Sequence, residues 1–182
     1  MQPLRLLATQ CGSEVHVQTD ALGCYEAEFD YLCRSLRRLG VASSDVEDLA
    51  HEVFLVLYRR WDEYDSTRAL RPYLFGIAFR VVAAHRRRRR LEVPCESLEL
   101  RDERPTPDQA LFAKESRALL LMALQQVPLE RRAVLVMHDI DEIRMQEIAK
   151  NLRIPRFTGY SRLRKARREL QAALQRLRQG AG

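Results

Sequence analysis

Residues 145–168 read MQEIAKNLRIPRFTGYSRLRKARR, and the spacing inside them decides the architecture. Ile148, Ala149 and Leu152 fall on one side of a short helix around Met145–Leu152. A three-residue turn follows, Arg153-Ile154-Pro155. Leu163, Ala166, Leu170, Leu174 and Leu177 then recur at steps of three and four, the signature of a long helix that buries one stripe. Arg156, Tyr160, Ser161, Arg164, Lys165, Arg167 and Arg168 turn away from that stripe. Ala149 supplies the small side chain where a crossing helix must pass closely. Short helix, tight turn and basic helix is helix-turn-helix geometry, which seats the second helix in a DNA major groove. Residues at its start then meet base edges, and later arginines meet phosphates. A solvated basic face on an ordinary helix hairpin gives the same pattern, so both readings stand on this segment alone.

Upstream, the 3.6-residue period continues. Leu22, Tyr25, Phe29, Leu32, Leu36 and Leu39 predict a helix from about Ala21 to Arg38, which Gly40 stops. Residues 1–20 show no clear period and read as a loose extension. Ser44 with Glu47 has the spacing of a capping box for a second helix. That helix is apolar at Val46, Leu49, Val53, Phe54, Leu57 and Trp61, while Asp45, Asp48, His51 and Glu52 lie opposite. A polar turn, Asp62–Ala69, precedes a third helix with Pro72 in its first turn. Its buried side is Tyr73, Leu74, Ile77, Ala78, Val81 and Val82, and it ends in five consecutive arginines, Arg86–Arg90. Residues 91–108 form an acidic, aperiodic tether with Pro94, Pro105 and Pro107. Helices are expected over 109–127 and Glu130–Ile140 before the opening segment is reached. The fold class is therefore all-α: two small helical domains, 21–90 and 109–178, on a flexible linker.

Charge is segregated. The chain carries +6 overall, yet residues 21–65 are net −5, residues 66–90 net +8 with no acid, and residues 119–182 net +7. Two separated basic blocks suit two contacts along one extended polyanion. Arg68, Arg71, Arg80 and Arg86–Arg90 exceed what a helix C-terminus needs, because the dipole benefit is about 0.3–1 kcal/mol and decays within a turn. They repel one another without a polyanion, so nucleic acid is the expected partner. Cys11, Cys24, Cys33 and Cys95 form no C-x-x-C pair and read as free thiols of a reducing compartment. No apolar run approaches the length of a membrane span, and Pro3–Ala8 is too short for a signal-peptide core. A cytoplasmic location is expected. His51-Glu52 has no nucleophile or third ligand beside it, and there is neither a Gly-rich phosphate loop nor H-E-x-x-H. No catalytic residue, metal, cofactor or small-molecule substrate is expected.

Together, these motifs resemble the extracytoplasmic-function (ECF) group of bacterial RNA polymerase sigma factors. Asp45-Val-Glu-Asp-Leu-Ala-His-Glu-Val-Phe54 is similar to the family's polymerase-binding helix. Tyr73-Leu-Phe-Gly-Ile-Ala78, with its arginine-rich end, resembles the promoter-melting helix. Leu124–Arg131 resembles the opening of the second domain, and Ile154–Thr158 with Ser161–Arg167 resembles the helix that reads the −35 element. The resemblance implies sigma region 2 over 21–90 and sigma region 4 over 109–178. It implies polymerase contacts from Asp45, Glu47, Asp48, Glu52 and Phe54, docked on the β′ clamp helices, with the β flap as a further contact. It implies −10 contacts from Ser66, Thr67, Arg68, Arg71, Tyr73, Phe79, Arg80, Arg86 and Arg87. The −35 contacts are Arg156, Phe157, Thr158, Tyr160, Ser161, Arg162, Arg164 and Lys165. It further implies an anti-sigma partner, often membrane-anchored. A stand-alone helix-turn-helix regulator is the alternative, but it needs no acidic helix followed by an arginine-rich one.

Five positions depart from the family pattern. Phe79-Arg80 stands where Arg-Asn is usual, Arg153 where a turn glycine is usual, and Arg144 where a helix-opening Ser is usual, leaving Asp141 as the nearest cap. Gly159 replaces a β-branched residue at a propensity cost of about 1 kcal/mol relative to Ala.

Overall fold

A computed structural model of the chain describes residues 8–65, 67–92 and 109–179. Its elements are α-helices: α1 (Ala8–Arg38), α2 (Val46–Arg59), α3 (Leu70–Glu92), α4 (Gln109–Gln125), α5 (Leu129–Leu135), α6 (Met145–Leu152) and α7 (Arg156–Gln179). No strand occurs among the described residues. Single 3-10 turns at Ser43–Asp45 and Trp61–Glu63 lead into and out of α2. A π-helical turn, Val136–Ile140, extends α5, where Asp141 N–H donates to the Val136 carbonyl at 3.0 Å.

Three local expectations are corrected. Helix α1 begins at Ala8, not Ala21, because residues 8–20 contain no proline and only Gly12 as a breaker. Residues 1–7 lie outside the described residues, as do Ser66 and residues 93–108 of the expected linker. The capping box at Ser44 does not form. Ser43–Asp45 is already wound as a 3-10 turn, so the Ser44 hydroxyl donates to the Asp45 carboxylate at 2.8 Å and no side chain caps α2. Asp141 does not cap α6 either, whose N-cap is Arg144 without a side-chain bond.

Arg153, where a turn glycine is usual, adopts the left-handed conformation its position demands, with φ 55° and ψ 48°. Ile154 N–H then donates to the Ala149 carbonyl at 3.0 Å, closing α6 in a Schellman-type turn.

Helices α1–α3 form one layer of packing and α4–α7 the other, and buried residues of both halves make a single continuous cluster. In α3, Leu74, Phe75, Gly76, Ile77 and Ala78 are all buried, including two positions on the side expected to face solvent. A helix apolar all round must be covered all round. Here α6 covers the second side, and a Cβ on Gly76 would stand 3.0 Å from the Asn151 carbonyl oxygen. Glycine is what lets the two backbones meet.

Candidate nucleic-acid interface

Helix α7 presents the expected row. Arg156, Arg164 and Lys165 are exposed, Thr158, Ser161 and Arg162 are half-buried, and Phe157 and Tyr160 stand 76% and 58% exposed. Among the described residues, none of these eight side chains has a hydrogen bond or ion pair. Arg167, on the same helix, is committed instead: it holds Asp139 with two bonds of 2.8 and 2.6 Å. The Arg167 hydrogen bond, reinforced by His138, keeps the Asp139 carboxyl below its usual range. The helix is seated through Leu163, Ala166 and Ala173. Gly159 faces inward, and a Cβ there would collide with the Met145 sulfur. Its propensity cost thus serves packing: Met145 fills the volume a β-branched side chain would take.

The arginine-rich half is different, because its cations are already engaged. Arg71 donates to Glu28 at 2.8 Å and lies 5.2 Å over the Tyr31 ring. Arg80 donates to the Asn151 carbonyl at 3.1 Å, and burial lowers its pKa, with Arg153 adding repulsion. Arg86 donates to the Leu39 and Gly40 carbonyls at 2.8 and 3.3 Å. Arg87 is exposed. Arg88 pairs with Glu52 at 3.0 Å and Arg89 with Asp45 at 3.2 Å, so the arginine tail lies across the acidic face of α2. Glu47 and Asp48 stay exposed, and the Glu47 carbonyl lies 2.9 Å from His51 Nδ1. Phe54 is half-buried, its ring 4.6 Å from that of Tyr25, which makes it a packing residue in this arrangement.

The turn before α3 gathers aromatics. Trp61, Tyr64 and Tyr73 follow one another with ring centroids 5.5 and 5.1 Å apart, each pair tilted by 33°. Tyr64, which the sequence patterns do not single out, also closes the turn by donating to the Arg68 carbonyl. Thr67 N–H and hydroxyl both donate to Asp65, lowering that carboxyl's pKa. Phe79 is half-buried against the core rather than presented. The missed signal was the i, i+3 spacing of Trp61 and Tyr64, hidden because Trp61 also completes the apolar stripe of α2.

Besides the Arg80–Asn151 bond, two further contacts tie the halves. Asp141 accepts from Tyr31 at 2.8 Å and from Arg38 at 2.9 Å, while burial raises its carboxyl pKa against those two bonds. Arg132, 2% exposed, donates to the carbonyls of Leu39, Gln125 and Val127 at 2.6–3.1 Å. Its partners lie just past or at the C-termini of α1 and α4, where helix dipoles concentrate negative potential. Burial, and then Arg86, push its pKa down to about 9, so it remains charged at neutral pH.

Two family models match the chain: Sigma-70 region 2 over residues 24–92 and Sigma-70, region 4 over residues 117–170. The RNA polymerase sigma-E factor of Streptomyces coelicolor is 31% identical over 146 residues, covering 80% of each chain. This chain belongs to the ECF group of RNA polymerase sigma factors. RNA polymerase sigma factor NccH of Alcaligenes xylosoxydans xylosoxydans is 27% identical over 150 residues, covering 79% of this chain and 81% of NccH. Two solved structures share the fold. CnrH in complex with the cytosolic domain of CnrY has a TM-score of 0.59 and 22% identity, covering 87% of this chain and 89% of CnrH. RpoE of Bartonella quintana in complex with the anti-sigma factor NepR has a TM-score of 0.62 and 19% identity, covering 83% of this chain and 96% of RpoE. As a sigma factor the chain binds core RNA polymerase and directs it to promoters; chemistry belongs to the polymerase. No helix among the described residues is long and apolar enough to cross a membrane.

Proposed function

We propose that this sigma factor divides its work by residue as follows. Region 2, residues 21–90, docks through Glu47 and Asp48, joined by Asp45 and Glu52, on the basic clamp helices of β′. The turn 62–69 and α3 capture an unstacked base of the −10 element, with Tyr64, Trp61 and Tyr73 as the stacking surface. Arg68, Arg71, Arg80, Arg86 and Arg87 hold the phosphates on either side. Region 4, residues 109–178, meets the β flap and lays Arg156, Phe157, Thr158, Tyr160, Ser161, Arg162, Arg164 and Lys165 in the major groove of the −35 element. The protein acts in the cytoplasm. An anti-sigma protein, membrane-anchored in many systems, holds it inactive; the two structural neighbours, solved with CnrY and NepR, support such a partner.

The observation that carries this reading is the contrast in α7: its eight outward side chains have no hydrogen bond or ion pair among the described residues, whereas Arg167 on the same helix does. The test is run-off transcription with core polymerase over a randomised promoter library. Enrichment of both an upstream and a −10 element is expected. Charge reversal Glu47→Lys with Asp48→Lys should weaken core binding by more than tenfold and leave the selected elements unchanged. Unaltered core affinity in that variant defeats the docking assignment.

A further inference from the structure

The most exposed large apolar side chain on the described surface is Phe157. It sits in the first turn of α7, one residue after Arg156. At about 100° per residue, Phe157 lies about 160° around the helix from Gly159. Gly159 is the residue pinned against Met145, so Phe157 occupies the outermost line of the helix. Arg164 and Arg168, both exposed, continue that line, and exposed Tyr160 flanks it. The helix phase is fixed rather than free: Ile154 N–H is bonded to Ala149, and Gly159 N–H donates to the Pro155 carbonyl at 3.1 Å.

Phe157 and Tyr160 set two exposed rings among cations, a surface matched by an occupant with apolar points on an anionic frame, on which the rings gain burial. Major-groove DNA has that character. Among base-pair edges there, thymine alone carries a methyl group, and Phe is one of the side chains that contacts it. We propose that Phe157, assisted by Tyr160, is a specificity-determining residue that reads thymine 5-methyl groups in the upstream promoter element. This rests on the assignment of α7 to the −35 element. Arg156, Arg164 and Lys165 supply phosphate or guanine contacts around it, while Phe157 confers preference for A·T pairs facing the first turn of α7.

The test uses the holoenzyme and the upstream element selected in the run-off experiment. Each thymine in turn is replaced by 2′-deoxyuridine, which removes one methyl and keeps every hydrogen-bonding group. At one or two positions, competitor affinity should fall about fourfold, the equivalent of about 0.8 kcal/mol per buried carbon at 1.4 kcal/mol per tenfold. Phe157→Ala should abolish that sensitivity, and Phe157→Leu should retain part of it. Phe157 is exposed enough that truncation leaves the core untouched, and circular dichroism of both variants checks this. Uniform indifference to deoxyuridine, or undiminished sensitivity in Phe157→Ala, overturns methyl reading while leaving −35 recognition intact. Absence of any upstream preference in the holoenzyme defeats −35 recognition itself and methyl reading with it.

Discussion

The two basic surfaces of the molecule start from opposite conditions. On α7, Arg156, Arg162, Arg164 and Lys165 have no partner among the described residues. On α3, Arg71, Arg80, Arg88 and Arg89 are bonded to Glu28, Asn151, Glu52 and Asp45. A phosphate approaching α7 adds a charge-assisted bond outright. A phosphate approaching α3 exchanges one bond for another, and each exposed pair given up contributes only about 0–1 kcal/mol. The exchange also frees Asp45 and Glu52, two of the carboxylates assigned to polymerase docking. If Arg88 and Arg89 join the proposed phosphate contacts, docking and DNA contact in region 2 draw on the same pairs, whereas the proposed DNA face of region 4 stands alone.

Removing the joint beneath both surfaces has the largest expected effect. Arg132→Met strands buried carbonyls of Leu39, Gln125 and Val127, and unfolding in urea should show a loss of about 3 kcal/mol. A loss below about 1 kcal/mol would mean those carbonyls find other donors. Next comes the seat of α7. Gly159→Val forces a collision with Met145 and should cost about 1–3 kcal/mol. Adding Met145→Ala should recover part of it, so the double variant falls short of the sum of the singles. Thermal melts of the four proteins decide the point, and strict additivity breaks the packing account. Arg153→Gly relieves a left-handed non-glycine residue and should stabilise by up to about 1 kcal/mol; an unchanged melting temperature counts against strain at this turn. The smallest stability effect is on the surfaces themselves. Arg89→Gln and Lys165→Gln should each shift stability by less than about 1 kcal/mol and lower the salt slope of promoter binding by about one. Of the two, only Arg89→Gln should also change affinity for core polymerase, because only Arg89 is paired with a docking carboxylate.

Periodicity made α2, α3, α4, α6 and α7 legible, since each repeats an apolar stripe that one helix alone must bury. The row on α7 was legible for the same reason: what is not on the stripe faces out. Pairings between distant elements were not. Gly159 reads as a cost until Met145 is seen filling its space, and the two lie on different helices. Asp141 has a capping residue's identity and neighbourhood, but Tyr31 and Arg38, more than a hundred residues upstream, claim its carboxylate. Phe75 and Gly76 fall off the expected buried side of α3, and at Gly76 it is the arrival of α6 that explains the burial. Arg132 is the extreme case. A charged residue that follows Glu130 and Arg131 in the same helix gives no local hint that it is buried, because its partners are carbonyls at two helix ends.

The Arg132 joint also sets a length scale. The −35 and −10 elements are by name about 25 base pairs apart, about 85 Å along B-DNA at 3.4 Å per step. If one chain makes the proposed −35 and −10 contacts at once, halves packed on a common core would have to part, and Arg132 would have to let go of Leu39. The apparent dissociation constant for a promoter is then the intrinsic one divided by the fraction of molecules already parted, tenfold weaker for each 1.4 kcal/mol the joint contributes. A buried arginine that touches neither polymerase nor DNA thereby enters the arithmetic of promoter occupancy.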